Sequence, residues 1–333
     1  MDFSEVTGLL KADLSRLEKA IRENYKSDIP LIPGIGDYLM NGGGKRMRPL
    51  LLLLTSKMFG AETDDRIIRH CCVVEYIHSA TLLHDDVVDA TTLRRGHETV
   101  NSKWGSDASI LIGDYFLSRA ILLLANDCAP KIIQAIAQTA RTLVEGGILE
   151  FTNARKLDVT EQLILDVVYR KTASIISVSC RLGALLTQAD EESEKILTSF
   201  GDDFGMAFQL MDDVMDYDGT EELLGKPAGT DLKEGHVTLP LLHLYQNCDR
   251  RLRKEIEQFI KRPDLSQKEL EYIIERLREA KSIEYTLDKA RAYMDRAKKT
   301  LRNAKFQSPK YLEALLAVAD YIIERHTAAK PCA

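Results

Sequence analysis

The sequence of 333 residues has few features of a secreted, zinc-binding or membrane-spanning protein. Its six cysteines show neither a CxxC pair nor the spacing of a zinc site, so we interpret them as reduced thiols. They are Cys71, Cys72, Cys128, Cys180, Cys248 and Cys332. The longest uninterrupted apolar runs, such as Leu50–Leu54 and Ile121–Ala125, are far shorter than the roughly 18 residues that suggest a membrane span. No cationic segment followed by an apolar one opens the chain, so we expect a cytoplasmic protein without a transmembrane segment.

The chain also lacks a positive charge excess and any convincing run of alternating strand residues. Its net charge is −6, so we expect no nucleic-acid partner. A hydrophobic content of 45% and a charged content of 29% are ordinary for a globular protein. No Pro- or Ser-rich linker divides the sequence, so we predict one domain over residues 1–333.

Helical periodicity dominates the whole sequence and predicts an all-α fold. The predicted helices are Val6–Asn24, Arg48–Phe59, Asp65–Thr92, Ser106–Ala125, Pro130–Ala154, Glu161–Gln188, Ser193–Tyr217, Val237–Tyr245, Arg250–Lys261, Ser266–Ala280, Ser282–Ala304 and Lys310–His326. Three segments rich in glycine, proline or charge are predicted as loops: Ile29–Gly44, Arg94–Gly105 and Gly219–Gly235. Glu161–Gln188 carries few charges after Lys171, which predicts a position at the centre of a bundle.

Two aspartate clusters of one pattern carry the clearest chemical signal. They are Asp85-Asp86-Val87-Val88-Asp89 and Asp212-Asp213-Val214-Met215-Asp216, each within an apolar helical stretch. A spacing of four residues places the first and last aspartate of each cluster on one helix face. At an effective dielectric constant of about 20, two like charges about 4 Å apart repel by about 4 kcal/mol. The repeated pattern therefore predicts a cation between the clusters, and oxygen ligands favour Mg²⁺ bridged to substrate phosphates.

Two basic motifs complement the acidic clusters. Gly42-Gly43-Gly44-Lys45-Arg46-Met47-Arg48-Pro49 places a glycine turn and three cations at the start of a helix, where backbone N–H groups favour an anion. A solvated basic turn is the alternative. Arg94-Arg95-Gly96 follows the first cluster, and its arginines either pair directly with the carboxylates or bind a metal-bridged diphosphate.

Several single residues lie where a diphosphate would bind, although each has an ordinary structural alternative. Lys171 and Thr172 lie inside an apolar helix, where a lysine can extend to the surface. Gln209 precedes Asp212 by three residues, and His78 precedes Asp85 by seven, so each shares a helix face with its cluster. Lys226 lies in the loop after the second cluster, where a lysine is usually just solvated.

Taken together, these motifs resemble the trans-isoprenyl diphosphate (polyprenyl) synthase family, and in particular its long-chain type. The motifs that carry the resemblance are Gly43–Pro49, Glu75–His78, Leu83–Asp89, Arg94–Gly96, Tyr169–Ala173, Gln209–Asp216, Gly225–Pro227 and Thr238–Pro240, in family order. The resemblance implies a single helical bundle around a deep central cavity, usually a homodimer. It implies head-to-tail condensation of isopentenyl diphosphate with an allylic diphosphate, aided by three Mg²⁺ ions, to give an all-trans polyprenyl diphosphate.

The resemblance also implies a role for each matching residue. Asp85, Asp89 and Asp212 resemble metal ligands, supported by Asp86 and Asp216. Lys45, Arg48, His78 and Arg95 resemble the isopentenyl diphosphate site, and Arg94, Lys171 and Lys226 resemble allylic-diphosphate contacts. Thr172 and Gln209, with Lys171, occupy the positions that stabilise the forming carbocation. His236 stands where the family commonly has a lysine, so the resemblance assigns it no role.

Product length is expected to depend on the residues before Asp85. Bulky residues four and five positions before the first aspartate stop chain growth early in the family, whereas Thr81 and Ala80 are small here. With Ile77, they predict an open channel and a long product, such as the side chain of a respiratory quinone. Such a product implies at most a transient membrane contact for its release. The residue that ends the channel is expected within Ile132–Ile148.

Three alternatives remain open at this point. The first is the same chemistry with a farnesyl- or geranylgeranyl-length product. The second is a class I terpene cyclase, which would need no second diphosphate site although Gly43–Pro49 and Arg95 provide one. The third is a subunit of a heteromeric synthase, and a catalytically silent subunit would be expected to have lost aspartates.

Overall fold

The computed structural model describes residues 1–127, 129–219, 229–262 and 265–328. Its α-helices are α1 Phe3–Leu9, α2 Lys11–Asn24, α3 Leu31–Asn41, α4 Met47–Met58, α5 Asp65–Val88, α6 Val100–Trp104, α7 Ser106–Ala125, α8 Pro130–Asn153, α9 Glu161–Val168, α10 Ser174–Leu186, α11 Glu191–Asp218, α12 Thr230–Glu234, α13 Leu239–Asn247, α14 Arg250–Phe259, α15 Gln267–Glu279, α16 Ser282–Arg302 and α17 Pro309–Ala328. A π-helical turn, Tyr169–Ala173, joins α9 to α10. In the described ranges the only strands are β1 Leu93–Arg94 and β2 His97–Glu98, which pair antiparallel. The predicted all-α class is confirmed, and the single domain stays a prediction.

The first predicted loop, Ile29–Gly44, is wrong because it contains helix α3. Pro30 precedes this helix, where its fixed φ and missing N–H are tolerated. Ile35 is fully buried, so an apolar face stabilises a segment whose composition alone suggested a loop. Gly36 lets the ring of Tyr25 pack against the helix, since a Cβ there would lie 2.8 Å from Tyr25 Cδ2.

Four further predictions need correction. The predicted helix Val6–Asn24 is two helices that meet at Leu10. The predicted loop Arg94–Gly105 contains most of the β-hairpin and α6. Glu161–Gln188 is interrupted by the π-helical turn, which hydrophobic periodicity does not reveal. Of the loop Gly219–Gly235, residues 220–228 lie outside the described part of the chain, and the rest includes α12.

The interior is formed by α4, α5, α10 and α11. Leu50–Leu54 of α4 have no exposed surface, and most of α10 is buried, as its low charge predicted. α5 packs along α7, where Tyr76 stacks on Phe116 with ring centroids 5.2 Å apart. Ser109 of α7 donates a hydrogen bond to the carbonyl of Leu83, 2.9 Å away. These contacts fix the end of α5 that carries the first aspartate cluster.

α7 has an apolar outer side as well as a packed inner one. It is the one helix in the described residues that is long and apolar enough to cross a membrane, judged by length and composition. Core helices of globular proteins meet the same criterion, and Phe116 of α7 is fully buried within this chain. The expected absence of a transmembrane segment therefore remains a prediction.

Close backbone contact between α11 and the π-helical turn depends on one glycine. A Cβ at Gly205 would collide with the backbone of Ala173. We expect Gly205→Ala to lower the free energy of unfolding by about 1–3 kcal/mol, because the two helices would have to separate. Urea denaturation followed by circular dichroism measures this change.

Gly147→Ala is the matched control, because a Cβ at that position would meet no other atom within 4 Å. This substitution in α8 should stabilise the chain slightly, by up to about 1 kcal/mol. Equal stability changes in the two variants would show that α11 and the π-helical turn do not need this close approach.

Candidate functional site

The glycine turn before α4 separates the roles of its cations. Arg46 adopts a left-handed conformation with φ 46° and forms ion pairs with Glu18 and Glu75, at 2.6 and 3.0 Å. It therefore ties α2, α4 and α5 together. Lys45 is exposed and Arg48 is half-buried. Arg46 thus has a structural role. Lys45 and Arg48, the predicted diphosphate contacts, are the other two cations of this motif.

The second basic motif lies against the glycine turn, 52 positions away along the chain. Arg95 donates a hydrogen bond from Nη1 to the carbonyl of Gly43, 2.5 Å away. Gly44 has φ 146°, and a Cβ there would lie 2.8 Å from Arg95 Nη1. Glycine is required here because it has the unusual φ and leaves room for the guanidinium. The β-hairpin and the start of α4 consequently form one basic surface.

This basic surface lowers the pKa values of its own members. Burial and neighbouring charges, chiefly Arg95 of like sign, lower the pKa of Arg48 to about 10, with Glu75 and Asp212 opposing the shift. Burial, followed by Arg48 and Arg95, lowers the pKa of His78 well below its ordinary value, so this imidazole is neutral at pH 7. The buried Nε of Arg48 has no hydrogen-bond partner among the described residues. These are properties of an anion site.

The first aspartate cluster presents two of its carboxylates to other segments, the π-helical turn and the loop that contains His236. Asp85 Oδ2 lies 3.7 Å from Lys171 Nζ, and Asp89 Oδ1 lies 3.7 Å from His236 Nε2. Burial raises the pKa of Asp89, with His236 and Lys171 acting against this shift. The spacing argument is therefore supported, because Asp85 and Asp89 face the same side.

Asp86 lies on a different side of α5 and is buried. Its Oδ1 accepts hydrogen bonds from Nε and Nη2 of Arg94, at 2.9 and 2.7 Å. Arg94 thus pairs directly with a carboxylate, which is one of the two roles that the sequence allowed for this arginine. Its predicted contact with the allylic diphosphate remains untested, since one guanidinium can serve both partners.

The π-helical turn brings two predicted catalytic residues to the site. Lys171 pairs with Glu150 of α8 as well as with Asp85. Burial alone would lower the pKa of Lys171, but these two carboxylates outweigh it and raise the pKa. Thr172 donates a hydrogen bond to Gln209 Oε1, 2.7 Å away. In this π turn, Lys171 faces α8 and the next residue, Thr172, faces α11.

The second aspartate cluster is held by groups from other parts of the chain. Asp212 Oδ1 lies 2.8 Å from Arg325 Nη2 of α17. Asp213 is buried and accepts a hydrogen bond of 2.9 Å from Gln209 Nε2. Asp216 Oδ2 accepts a hydrogen bond of 3.2 Å from the backbone N–H of Asp231. Asp212 therefore faces a side-chain cation, the guanidinium of Arg325.

His236, whose role was left unassigned, is surrounded by carboxylates. Its Nε2 lies 3.7 Å from Asp89 and 3.6 Å from Glu234, and its Nδ1 lies 3.6 Å from Glu150. It consequently approaches the first cluster as a lysine at this position could. Lys226, the other predicted contact after the second cluster, lies outside the described residues.

A largely apolar cavity opens beside Lys171. Its polar end includes Glu150, Lys171, Thr172, Gln209 and His236, and its apolar side comes mainly from α9. The α9 residues are Leu163, Ile164, Val167 and Val168. These apolar side chains form one side of the cavity, and the predicted deep central cavity stays a prediction.

The three predicted chain-length residues differ in exposure. Ala80 is fully buried and Ile77 is 5% exposed, whereas Thr81 retains more surface. Tyr76 stacks against α7, and Ala80, one turn later, lies on that same packed side of α5. Thr81 is four residues before Asp85 and shares its face. Of the three, Thr81 is thus best placed to meet a growing chain, and the channel itself stays a prediction.

Three residues that contact the site carried no local signal in the sequence. Glu150 lies on the otherwise ordinary helix α8, and Tyr321 and Arg325 lie on α17, which matched the family only as a generic helix. The hydroxyl of Tyr321 contacts the ammonium group of Lys45. Only the fold brings these positions to the aspartates, so spacing along the chain could not identify them.

The aspartates suit a divalent cation that is shared with a ligand. In the described residues, no three His, Cys, Asp or Glu side chains are gathered closely enough to hold a metal on their own. Mg²⁺ is usually bound by one or two carboxylates together with substrate phosphates and water. Asp85, Asp89 and Asp212 fit this mode, because each already faces a positive or titratable side chain.

Comparison with known proteins agrees with this arrangement. The profile described as polyprenyl synthetase matches residues 29–277. The chain belongs to the polyprenyl synthetase family. It is 34% identical to octaprenyl diphosphate synthase of Haemophilus influenzae, over 98% of both chains. It is also 34% identical to heptaprenyl diphosphate synthase component 2 of Bacillus subtilis, over 98% of this chain and 91% of that one.

A solved structure shows the same fold over almost the full length. The polyprenyl synthase from Caulobacter crescentus, complexed with calcium and isoprenyl diphosphate, superposes with a TM-score of 0.93. Sequence identity is 33%, over 98% of each chain. These comparisons confirm the predicted family, the isoprenoid synthase fold and a long-chain trans-prenyltransferase. Family membership also implies isopentenyl and allylic diphosphates as substrates and a divalent metal as cofactor.

Two arginines of the same motif should respond differently to substitution. Arg46→Met leaves Glu75, which is 4% exposed, without its cation, so we expect unfolding to become easier by about 3–5 kcal/mol. Arg48→Met removes a guanidinium whose Nε has no partner, so its effect on stability should be much smaller. Urea denaturation measures the free energy of unfolding of each variant. A comparable loss of stability in both variants would contradict the division into a structural and a binding arginine.

Proposed function

We propose that this protein is a Mg²⁺-dependent long-chain polyprenyl diphosphate synthase that condenses isopentenyl diphosphate with an allylic diphosphate head to tail. One observation carries the proposal. Within the described residues, a basic surface holds a buried guanidinium Nε that has no hydrogen-bond partner, and Asp85 and Asp212 pair with protein cations. Two diphosphates and a divalent cation would balance the charges of both the basic surface and the carboxylates. The full-length similarity to octaprenyl and heptaprenyl synthases supports this combination.

Asp85, Asp89 and Asp212 would hold the cation, with Asp86 and Asp216 supporting them through neighbouring contacts. Calcium and isoprenyl diphosphate in the Caulobacter relative support a shared metal–diphosphate site. The proposed ion is Mg²⁺, and the proposed number is three. The bound ions supply positive charge to the leaving diphosphate as its C–O bond breaks.

The chain's own residues would act on the allylic diphosphate and on the cation it leaves. Lys171 lies beside Asp85 and keeps its proton, so it contributes a fixed positive charge to the leaving group. Arg94 and Lys226 are proposed to contact the same diphosphate. Thr172 Oγ1 and Gln209 Oε1, hydrogen-bonded to one another, present oxygen dipoles toward the forming carbocation. The apolar α9 wall keeps out water that would otherwise trap this cation.

Lys45, Arg48, His78 and Arg95 would bind isopentenyl diphosphate. Arg48 and Arg95 are permanently charged and provide forked donors that match phosphate oxygens. His78 is neutral in their field, so it would donate a hydrogen bond rather than a charge. The isopentenyl double bond then attacks the carbocation, and the departing diphosphate accepts the proton released afterwards. No dedicated side-chain base is assigned.

A long all-trans product, such as a respiratory quinone side chain, follows from small Thr81 and Ala80 and from the relatives' names. Farnesyl or geranylgeranyl length is the alternative outcome. A cytoplasmic location, with membrane contact only for product release, completes the proposal.

A homodimer is part of the proposal, and an exposed apolar surface supports it. Leu111 and Ile121 of α7 are 66% and 67% exposed, and Val144, Ile148 and Phe151 of α8 are 61%, 59% and 68% exposed. The α8 residues recur every three or four positions and so form one face of the helix. Contiguous exposed apolar surface commonly marks an interface. A second copy would cover both helices.

The reaction itself is tested by incubating the purified protein with Mg²⁺, isopentenyl diphosphate and labelled farnesyl diphosphate. We expect Asp85→Asn and Asp212→Asn to lower kcat by about a hundredfold or more, because charge stabilisation in the transition state is lost. Asp288→Asn is the control, since this carboxylate is exposed on α16. Turnover near the wild-type value in either cluster variant at saturating Mg²⁺ would falsify the metal assignment.

The route of the growing chain is tested by two ring substitutions. Thr81→Phe adds a ring on the face of α5 below Asp85, whereas Val167→Phe adds a ring in the cavity beside α9. We expect Thr81→Phe alone to shorten the products, because a packed interior has little spare volume. Product lengths are read by chromatography after dephosphorylation. Shortening by Val167→Phe alone would instead place the tail in the α9 cavity.

Subunit association is tested by analytical ultracentrifugation. The wild type should sediment at twice the chain mass of 37.5 kDa. Ile121→Glu combined with Ile148→Glu should shift it to the monomer, because charges would be buried at the interface. Ile29→Glu, at another exposed apolar residue, is the control. A monomeric wild type that gains activity from a separate protein would instead indicate a heteromeric synthase, as the name of the Bacillus relative describes.

A further inference from the structure

Arg155, in the link between α8 and α9, adopts an unusual backbone conformation. Its φ of 62° lies in the left-handed region, which residues with a side chain rarely adopt. In this conformation its backbone N–H donates a hydrogen bond to the carbonyl of Gly235, 2.8 Å away. Gly235 also has a positive φ, of 87°, and a Cβ there would lie 2.7 Å from Arg155 Cγ. The two segments therefore approach each other very closely at this point.

The guanidinium of Arg155 contacts the carboxyl ends of two helices. Its Nη2 donates to the carbonyls of Lys233 and Glu234 at the end of α12, each 3.4 Å away. Its Nη1 donates to the carbonyl of Ile260, directly after α14, at 2.7 Å. The last carbonyls of a helix have no partner within that helix and carry a partial negative charge. One cation thus holds α12 and α14 together through carbonyls that the helices themselves leave unsatisfied.

Residues 229–236, which include α12 and which we call the α12 strap, contact the second aspartate cluster near their start. The backbone N–H of Gly229 donates a hydrogen bond to the carbonyl of Asp216, 2.8 Å away. The backbone N–H of Asp231 donates a second one to Asp216 Oδ2, at 3.2 Å. The position of a proposed supporting carboxylate therefore depends on where the strap lies.

The end of the α12 strap contacts the first aspartate cluster. Thr91, two residues after Asp89, donates a hydrogen bond of 3.1 Å from its hydroxyl to Glu234 Oε1. His236 Nε2 lies 3.7 Å from Asp89 Oδ1. The strap thus joins the two clusters, and Arg155 holds it from a third segment of the chain.

Arg155 is placed to act on the site through the strap. Its neighbours Asn153 and Ala154 line the cavity beside Lys171, whereas its own guanidinium is directed to backbone carbonyls. Groups around a leaving diphosphate have to be placed accurately, since a displacement of about 1 Å can lower a rate about a hundredfold. A residue that fixes the strap therefore influences the reaction without touching a substrate.

Resting on the proposed function, we propose that Arg155 is a positioning residue that fixes the α12 strap for binding of the allylic diphosphate. It acts through the contacts of the strap with Asp89 and Asp216. Isopentenyl diphosphate is much less affected, because its proposed ligands Arg48 and Arg95 lie on the glycine turn and the β-hairpin. A general structural role would instead weaken both substrates together.

Amide hydrogen exchange of the substrate-free protein measures how firmly the strap is held. Arg155→Met removes the guanidinium and keeps an unbranched side chain, so the backbone preference changes little. We expect the amides of residues 229–236 to exchange about tenfold faster in this variant, relative to those of α10, because the strap opens more often. Arg251→Met, at an α14 side chain that is 89% exposed, is the control and should leave this exchange unchanged.

Steady-state kinetics and calorimetry then measure the effect on each substrate. We expect Arg155→Met to raise KM for farnesyl diphosphate about tenfold or more, and to change KM for isopentenyl diphosphate by less than about twofold. An unreactive thio analogue of farnesyl diphosphate, titrated by calorimetry with Mg²⁺, should bind more weakly by the same factor. Arg155→Lys keeps the charge but lacks the fork of donors, so it should show smaller shifts, and it serves if the methionine variant proves unstable.

The outcomes separate this proposal from the function on which it rests. Unchanged exchange in the strap, unchanged KM values, or an equal loss of affinity for both substrates would overturn the role of Arg155 and leave the synthase assignment intact. If the wild type neither binds the thio analogue nor condenses the two diphosphates, the proposed function is contradicted and the role of Arg155 in allylic binding with it.

Discussion

Charge balance among carboxylates on neighbouring helices is the constraint on which this site depends. The aspartates of α5 and α11 lie in a partly buried site, where unpaired charges are costly. In the chain alone, Lys171, His236 and Arg325 approach Asp85, Asp89 and Asp212. Each of these three side chains comes from a different segment, so packing brings them to the aspartates. No three metal-binding side chains in the described residues converge, so a metal held here would need further ligands such as phosphate oxygens or water.

Close helix packing places these charges. Gly205 lets α11 approach Ala173 in the π-helical turn, which carries Lys171 and Thr172. Gly44 makes room for Arg95, which joins the β-hairpin to the start of α4. Arg46 contributes to the scaffold by pairing with the buried Glu75, which leaves Arg48 as the half-buried cation without a partner at Nε. Arg46 thus contributes to stability, and Arg48, two residues later in the same motif, is the proposed binding residue.

Sequence reasoning identified what repeats or clusters along the chain. Helical periodicity gave the fold class, and the two aspartate clusters and the basic motifs gave most of the candidate site. It missed α3, because prolines and glycines indicate a loop unless tertiary burial is known. It also missed the π-helical turn, which changes no apolar periodicity, and Glu150 and Arg325, which lie on ordinary amphipathic helices. Contacts between distant segments leave no local pattern, and these are what the structure adds.

The most direct measurement of the central claim is a crystal structure with Mn²⁺, isopentenyl diphosphate and an unreactive thio analogue of the allylic diphosphate. Anomalous scattering would locate the metal independently of the surrounding density. The account predicts manganese between Asp85 or Asp89 and the allylic diphosphate, and at Asp212, with the second diphosphate on Lys45, Arg48 and Arg95. Manganese bound away from both aspartate clusters, or a second diphosphate bound elsewhere, would contradict it.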